Sequence, residues 1–192
     1  MNYLLDVVFS FIIGGIVVVL LQGLMFNMTR TAGSQTLETI AQSNVTTAAD
    51  IVLNDLRKMG YGAPGSGDSA IIHADPNKIV MKGDLDDNGS YPDSVSYYLG
   101  TTKPSGNLNP RTRYLYRKWQ NAAGQVMNLG VTQFQFTYYD RSGNQLVAVP
   151  CVGNPSQIRS IKLSIAAESI VPWEKTYAAA SWEQVIKPLN LR

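Results

Sequence analysis

An oxygen-rich segment in the middle of the chain has the residue spacing of a calcium-binding loop. Side-chain oxygens at alternate positions, followed by a glycine, match the first six positions of an EF-hand loop. The predicted calcium ligands are Asp84, Asp86, Asn88, the backbone carbonyl of Ser90, and Asp93. Only half of the motif is present, because the twelfth position is valine instead of the bidentate glutamate. An ordinary turn is the alternative, since Asp, Asn and Gly also favour turns.

A second group of residues that could bind a ligand is basic and aromatic. The stretch from Ser94 to Tyr139 contains five basic residues and no acidic residue, with Tyr114, Tyr116 and Trp119 among them. Phosphate contacts and base stacking by such residues can hold single-stranded nucleic acid. The candidate contacts are Arg111, Arg113, Arg117 and Lys118. The favoured interpretation is a strand with a solvated basic face and inward tyrosines, so a nucleic-acid partner is not expected. The basic face could also meet the acidic 84–93 loop of another copy.

The residue types needed for enzymatic catalysis are scarce. The chain of 192 residues has one histidine, His73, and one cysteine, Cys151. A histidine-rich metal centre, a disulfide framework and a Ser-His-Asp triad with a spare histidine are therefore improbable. The net charge of +2 does not argue for a strongly charged partner. We expect a protein that is not an enzyme.

The elements that must position these residues begin with a long apolar segment. Val7–Phe26 contains 20 residues without a charge, and a helix of about 20 apolar residues can span a bilayer. A cleaved secretory signal and a buried helix are the rival interpretations. A signal would have a basic start and a shorter apolar run, and no Lys or Arg precedes Arg30. The sequence therefore predicts a retained membrane helix.

Four residues of the apolar segment are candidates for a role in assembly: Asp6, Gly14, Gly15 and Gly23. An acid at the end of an apolar helix either reaches the interface or needs a partner, because its burial in lipid costs about 2.5–3.5 kcal/mol. Glycine in a membrane helix often permits close helix packing. The alternative for the glycines is a segment that melts locally when the helix leaves lipid.

The rest of the chain predicts an α+β fold. Apolar residues continue at helical spacing to Met59, and Gly60 follows, so a helix of about 85 Å is expected from Tyr3 to Met59. We divide the chain into a transmembrane half-helix (1–26), an amphipathic half-helix (27–59) and a β-rich head (60–192). An antiparallel sheet laid on the amphipathic half is the economical arrangement. The predicted strands are Ala70–His73, Lys78–Lys82, Ser94–Leu99, Arg113–Trp119, Gly130–Tyr139, Gln145–Val149 and Ile158–Ala166.

This order of elements resembles the type IV pilin and pseudopilin superfamily. It is most similar to PilW-like minor pilins and to the larger minor pseudopilins of type II secretion. The residues that carry the resemblance are Asp55–Gly62, Lys82–Asp86, Val95–Leu99, Leu115–Arg117, Phe134–Asp140 and Pro188–Arg192. The family has a basic leader ending in glycine and a glutamate at the fifth mature position. This sequence shows no such leader, and Asp6 is the nearest match to the acid, so cleavage and methylation are in question.

The resemblance implies a structural subunit of a bacterial envelope fibre. The expected role is a minor pilin that initiates, caps or decorates a type IV pilus. A minor pseudopilin of type II secretion is the alternative within the class. A non-polymerising membrane tether that binds calcium or mediates adhesion is the alternative outside it. Expected partners are other pilin-like subunits and an inner-membrane assembly platform. The helix would lie in the inner membrane and the head in the periplasm or outside the cell. The family acid is thought to meet the N-terminal amine of a neighbouring subunit.

Overall fold

The computed structural model describes residues 2–63, 69–85, 87, 89, 91–120, 124–147, 153–188 and 190–191. One long helix lies against an antiparallel sheet. The predicted α+β class is confirmed.

Helix α1 runs from Asn2 to Lys58, and 57 residues at 1.5 Å each give a length of about 85 Å. It ends where Gly60 adopts a positive φ of 71° and donates its N–H to the carbonyl of Lys82, a conformation that glycine adopts without strain. The side chains from Tyr3 to Arg30 are exposed, and full burial begins at Ala41. The predicted amphipathic half-helix (27–59) therefore has a buried face from Ala41 onward, whereas Tyr3–Phe26, in the predicted transmembrane half, is exposed.

The sheet contains eight strands, and every paired neighbour is antiparallel. Its order is β1-β2-β3-β4-β5-β7-β8, and the short β6 pairs with β5 at the side. A short 3-10 helix at Pro155–Gln157 precedes β7. The strands are β1 (Ile71–Ala74), β2 (Lys78–Gly83), β3 (Asp93–Leu99), β4 (Arg113–Trp119), β5 (Gln125–Tyr139), β6 (Gln145–Leu146), β7 (Ser160–Glu168) and β8 (Ala179–Ile186).

Four strands differ from the sequence-based expectation. Strand β6 ends at Leu146, before the predicted Val149, and β7 begins and ends two residues later than the predicted Ile158–Ala166. The larger differences are in β5 and β8. Strand β5 begins at Gln125, five residues before the predicted start at Gly130. Gly130 lies inside it with a φ of 64°, where a Cβ atom would lie 2.3 Å from the Glu168 carbonyl oxygen. The glycine thus marks a close approach of two strands, not a strand end. Strand β8 was not predicted, because Ala179–Ile186 contains few β-branched residues.

The core lies between one face of the sheet and the second half of α1. We call the face that packs on the helix the inner face and the opposite one the outer face. The helix contacts β5, β7 and β8 most closely. Its buried contributions include Val45, Ala48, Val52 and Leu56. The sheet contributes, among others, Ile79, Met81, Val95, Leu115, Phe134, Phe136, Ile161, Leu163 and Ile165.

A buried polar cluster joins the end of the helix to the sheet. The carboxylate of Asp55, which is only 3% exposed, accepts hydrogen bonds from the Tyr97 hydroxyl (2.5 Å) and from Nε of Arg117 (2.8 Å). The Arg117 guanidinium also lies 5.1 Å from the ring centre of Trp119. We call Asp55, Tyr97 and Arg117 the Asp55 latch. It fixes the helix to β3 and β4 at a single register.

Burial and the interactions within the Asp55 latch shift the pKa values of Tyr97 and Arg117. Burial raises the pKa of the Tyr97 hydroxyl far above its usual value, and the nearby Asp55 charge adds to this. Burial lowers the pKa of Arg117, but its hydrogen bonds and charge interactions with Asp55 and Tyr97 together outweigh this effect, so the pKa is raised. The arginine therefore stays charged and the tyrosine stays neutral.

Candidate functional site

The front half of α1 extends beyond the head without covering from the rest of the described chain. From Asn2 to Gly33 the helix is about 47 Å long, which exceeds the roughly 30 Å of a bilayer core. Its aromatic and aliphatic side chains are exposed, as in Phe11 (77%) and Phe26 (67%). Burying each such side chain would gain about 1.5–3 kcal/mol. This surface is thus suited to lipid or to other apolar helices.

A shallow apolar groove lies on this projecting half. It runs over Phe11, Ile12, Gly15, Ile16, Val19 and Leu20, and Gly15 leaves a gap between the larger side chains. A Cβ atom added to Gly14, Gly15 or Gly23 would meet nothing within 4 Å. Packing within the chain does not require these glycines. The space beside them is therefore available to another helix.

Asp6 lies on the exposed surface near the free end of the helix. Its backbone carbonyl accepts a hydrogen bond from the hydroxyl of Ser10 at 2.8 Å. Among the described residues no basic side chain forms an ion pair with its carboxylate. The nearest basic residue along the sequence is Arg30, about 36 Å away on a helix. A partner for this acid must come from outside the described part of the chain.

A clamp holds the helix where it leaves the head. The indole ring of Trp173 packs on Gly33, and a Cβ atom there would lie 2.6 Å from two ring carbons. One turn earlier, Arg30 forms an ion pair with Glu174, the residue next to the tryptophan. We call these four residues the Trp173 clamp. Gly33 is the one glycine between Asn27 and Met59, and no local sequence pattern indicates that Trp173 is its partner.

Two of the predicted calcium ligands lie in the described part of the 84–93 loop. Asp84 and Asp93 are buried at the base of the β2–β3 connection. Asp84 accepts the N–H of Gly89 (3.0 Å), while Asp93 accepts the N–H of Leu85 (3.1 Å) and an amide N–H of Gln120 (2.6 Å). Asp86, Asn88 and Ser90 lie outside the described residues, as does Cys151. Among the described residues, no group of three or more His, Cys, Asp or Glu side chains is placed to hold a metal.

Lys58 limits the free negative charge of this loop. Its ammonium group forms an ion pair with Asp87 and donates to the carbonyl of Leu85. The hydrogen bond that Lys58 donates to the Asp87 carboxylate raises the pKa of Lys58 above its usual value. Asp87 is thus paired with the helix end, which leaves Asp84 and Asp93 as the described carboxylates nearest the proposed calcium position.

The four candidate nucleic-acid contacts do not share one surface. Arg117 points to the inner face and pairs with Asp55, whereas Lys118 points to the outer face. Arg111 pairs with Glu168 at 2.8 Å, and Arg113 donates to the carbonyls of Pro110 and Thr112. The structure therefore separates these residues.

The tyrosines of β4 also differ from expectation. Leu115 and Arg117 point inward, so the alternating Tyr114 and Tyr116 point outward with Lys118. The expected orientation is reversed at Tyr114, Tyr116 and Arg117, whereas Lys118 lies on the outer face as expected. The Asp55 carboxylate explains the reversal, because it provides a buried partner for Arg117.

Comparisons with known proteins give a limited result. No family model matches this chain, and no curated protein matches it significantly. A similar solved structure is a type IV-like pilin from Thermus thermophilus, with 11% sequence identity and a TM-score of 0.48. The alignment covers 78% of this chain and 97% of that one.

Proposed function

We propose that the chain is a membrane-anchored, pilin-like structural subunit that assembles through its apolar helix. One observation carries the proposal: a continuous apolar surface from Tyr3 to Met28 lies outside the head, while the same helix is buried from Ala41 onward. A membrane anchor alone requires only the exposed apolar surface. A packed fibre also requires a rigid connection between the anchor and the head, and one unbroken helix provides that connection.

The projecting surface can serve in two environments. In a bilayer, its apolar side chains contact lipid, and the helix is long enough to cross. In a fibre, the same side chains would contact helices of other pilin-like subunits, with Gly14, Gly15 and Gly23 permitting close approach. The bilayer therefore stores the subunit, and an inner-membrane assembly platform would transfer it to the fibre. The head would lie in the periplasm or on the cell surface.

More specifically, we propose that the subunit is a minor pilin, which initiates, caps or decorates a type IV pilus. The resemblance of the sequence to PilW-like proteins supports this role. A minor pseudopilin of a type II secretion system is the alternative within the same class. The role is structural in both cases.

Asp6 supplies the test of assembly. We expect Asp6 to pair with a group of a neighbouring subunit, so that extraction from the membrane depends on that neighbour. An unpaired carboxylate in hydrocarbon costs about 2.5–3.5 kcal/mol. Relief of even half of this amount would change incorporation about tenfold.

The experiment compares the full-length chain with Asp6→Ala and Asp6→Glu in a bacterial host that carries the assembly platform. Immunoblots of the membrane fraction and of fibres sheared from the cells measure insertion and incorporation separately. We expect equal insertion of all three, loss of the alanine variant from fibres, and retention of the glutamate variant. Ser10→Ala, one turn away, is the matched control. Incorporation of the alanine variant at the wild-type level would refute the role of Asp6, and absence of the wild-type chain from fibres would favour a non-polymerising tether.

We also propose calcium binding by the 84–93 loop as a second function. The specific support is the hydrogen bond from Gly89 to Asp84, which folds the loop back over its first ligand. Asp93 lies at the same base of the loop, one hydrogen bond from Leu85. Calcium would then rigidify the β2–β3 connection next to the helix end.

A further inference from the structure

The outer face of strands β2, β3 and β4 carries an unusual set of exposed side chains. The register pairs Lys78 with Tyr98 and Tyr98 with Tyr116, so these three residues form one row across the sheet. Two residues further along, Val80, Ser96 and Lys118 form a second row. Lys82 follows on β2. We call these residues together with Tyr114 the outer tyrosine–lysine face.

The tyrosine rings of this face form a stack. The rings of Tyr98 and Tyr116 lie within 5° of parallel, with their centres 5.1 Å apart. Tyr114 meets Tyr116 edge to face at 6.2 Å, and the Lys78 ammonium lies 6.0 Å from the centre of the Tyr98 ring. Val126 of β5 is the next residue in the row and is half exposed. A flat ring can therefore extend the stack above Val126.

The charged residues of this face are all lysines. Lys78 and Lys118 have no carboxylate within 4 Å among the described residues. Asp93, the acidic residue of β3, is buried and hydrogen-bonded to the Leu85 N–H and the Gln120 side chain. Lys78 and Lys118 lie two strands apart and two residues apart along the strands, about 12 Å between their Cα atoms. The concavity between them is lined with the hydroxyls of Ser94 and Ser96.

We propose that the outer tyrosine–lysine face binds single-stranded nucleic acid. The lysines contact phosphates and the tyrosine stack accepts an unpaired base, which is the combination that non-specific single-strand binding uses. A duplex keeps its bases paired and cannot extend the stack. The face contains three lysines and no acidic residue, which favours a polyanion over a protein partner. This role is independent of the proposed assembly through the helix, since the two surfaces lie on different parts of the molecule.

The experiment measures fluorescence anisotropy of a labelled oligothymidine with the full-length chain in nonionic detergent micelles. Two phosphate contacts, at Lys78 and Lys118, predict a slope of about −1.4 for log affinity against log salt concentration, at roughly −0.7 for each contact. We expect Lys118→Gln to reduce the magnitude of this slope by about 0.7. Lys187→Gln, an exposed lysine beyond the opposite sheet edge, is the matched control and should leave the slope unchanged.

A tyrosine series tests the stacking independently of charge. We expect Tyr116→Ala to weaken binding by about fivefold to a hundredfold without changing the salt slope, since one stacked base contributes on this scale. Tyr116→Phe should retain binding, and Tyr61→Ala is the control for an exposed tyrosine elsewhere. Circular dichroism confirms that each variant is folded.

Competitors decide between classes of ligand. Duplex DNA of the same length, alginate and anionic phospholipid vesicles are each added at equal charge concentration. Weak competition by all three supports the proposal. Absence of binding, equal binding of duplex, or equal competition by alginate or by the vesicles would overturn it, as would a salt slope that Lys118→Gln leaves unchanged.

Discussion

Removal of the Asp55 carboxylate should destabilise the head more than any single surface change. Asp55 is 3% exposed and accepts hydrogen bonds from both Tyr97 and Arg117. In an Asp55→Ala variant the arginine loses its counter-ion while its side chain is only 19% exposed. Breaking one partner of a buried ion pair costs about 3–5 kcal/mol. We expect about 3 kcal/mol, the lower end of that range, because the guanidinium keeps the ring of Trp119 and reaches Gln125 at the sheet surface.

The assay is urea unfolding of the full-length chain in detergent micelles, followed by tryptophan fluorescence. Trp119 reports directly on the Asp55 latch, since it stacks on Arg117. Asp50→Ala removes an exposed aspartate from the same helix and should change the free energy of unfolding by less than about 0.5 kcal/mol. Tyr97→Phe removes the hydroxyl that donates to Asp55 and accepts from Nε of Arg117, and should cost about 1.5–3 kcal/mol.

A double-mutant cycle then isolates the ion pair. Arg117→Met removes the other charge and keeps much of the side-chain volume. The double variant with Asp55→Ala should be less destabilised than the sum of the two single variants, because no unpaired charge remains. If Asp55→Ala unfolds at the same urea concentration as Asp50→Ala, or if the two single effects simply add, the latch does not hold the helix as described.

Three further outcomes follow from the structure. Gly33→Leu should displace the Trp173 indole and destabilise the head by about 1–3 kcal/mol, measured by urea unfolding. The displaced indole should also shift the tryptophan emission to the red. An unshifted emission spectrum would contradict the Trp173 clamp. The side-chain hydrogen bond from Asn144 lowers the pKa of Asp140 below its usual value. Wild type should therefore be more stable than Asp140→Ala at pH 6, and this difference in stability should vanish as the pH falls through the lowered pKa. Thermal unfolding between pH 6 and pH 2 measures the difference. A difference that does not depend on pH would argue against this role of the Asp140 carboxylate. Calcium should release or absorb heat on titration into the full-length chain, and Asp84→Asn should abolish that heat, whereas no heat at about millimolar calcium, the weak end of known loops, would exclude the site.

The helix and most strands could be predicted because their signals are local. The apolar run, the glycine after Met59 and the alternation in Val131–Tyr138 each depend on neighbouring residues alone. Helix α1 and strand β4 match their predicted bounds within one residue. Strand β8 has no comparable local pattern, and its pairing with β7 supplies the stabilisation.

The orientation of β4 could not be predicted from its own residues. Arg-Tyr-Leu-Tyr-Arg alternates equally well in either orientation, and polarity alone favours the arginines outward. The deciding residue is Asp55, 62 positions away from Arg117 along the chain. It makes an inward arginine acceptable, and the tyrosines then occupy the outer face. The Gly33–Trp173 contact escaped prediction for the same reason, since it joins residues far apart in the sequence.

The Asp55 latch and the Trp173 clamp hold the second half of α1 on the sheet and leave its first half without contacts to the described head. The Asp55 latch and the Trp173 clamp are 22 residues apart, about 33 Å along the helix. Between them the helix cannot tilt relative to the sheet without breaking a buried ion pair or displacing an indole ring. Before Arg30 the described head makes no comparable contact, so the proposed exchange of lipid for neighbouring helices would leave the core undisturbed. A substitution in the clamp should therefore alter the angle of the projecting half while leaving its insertion in the membrane intact, whereas a substitution at Gly15 should alter packing with other helices and leave the stability of the head unchanged.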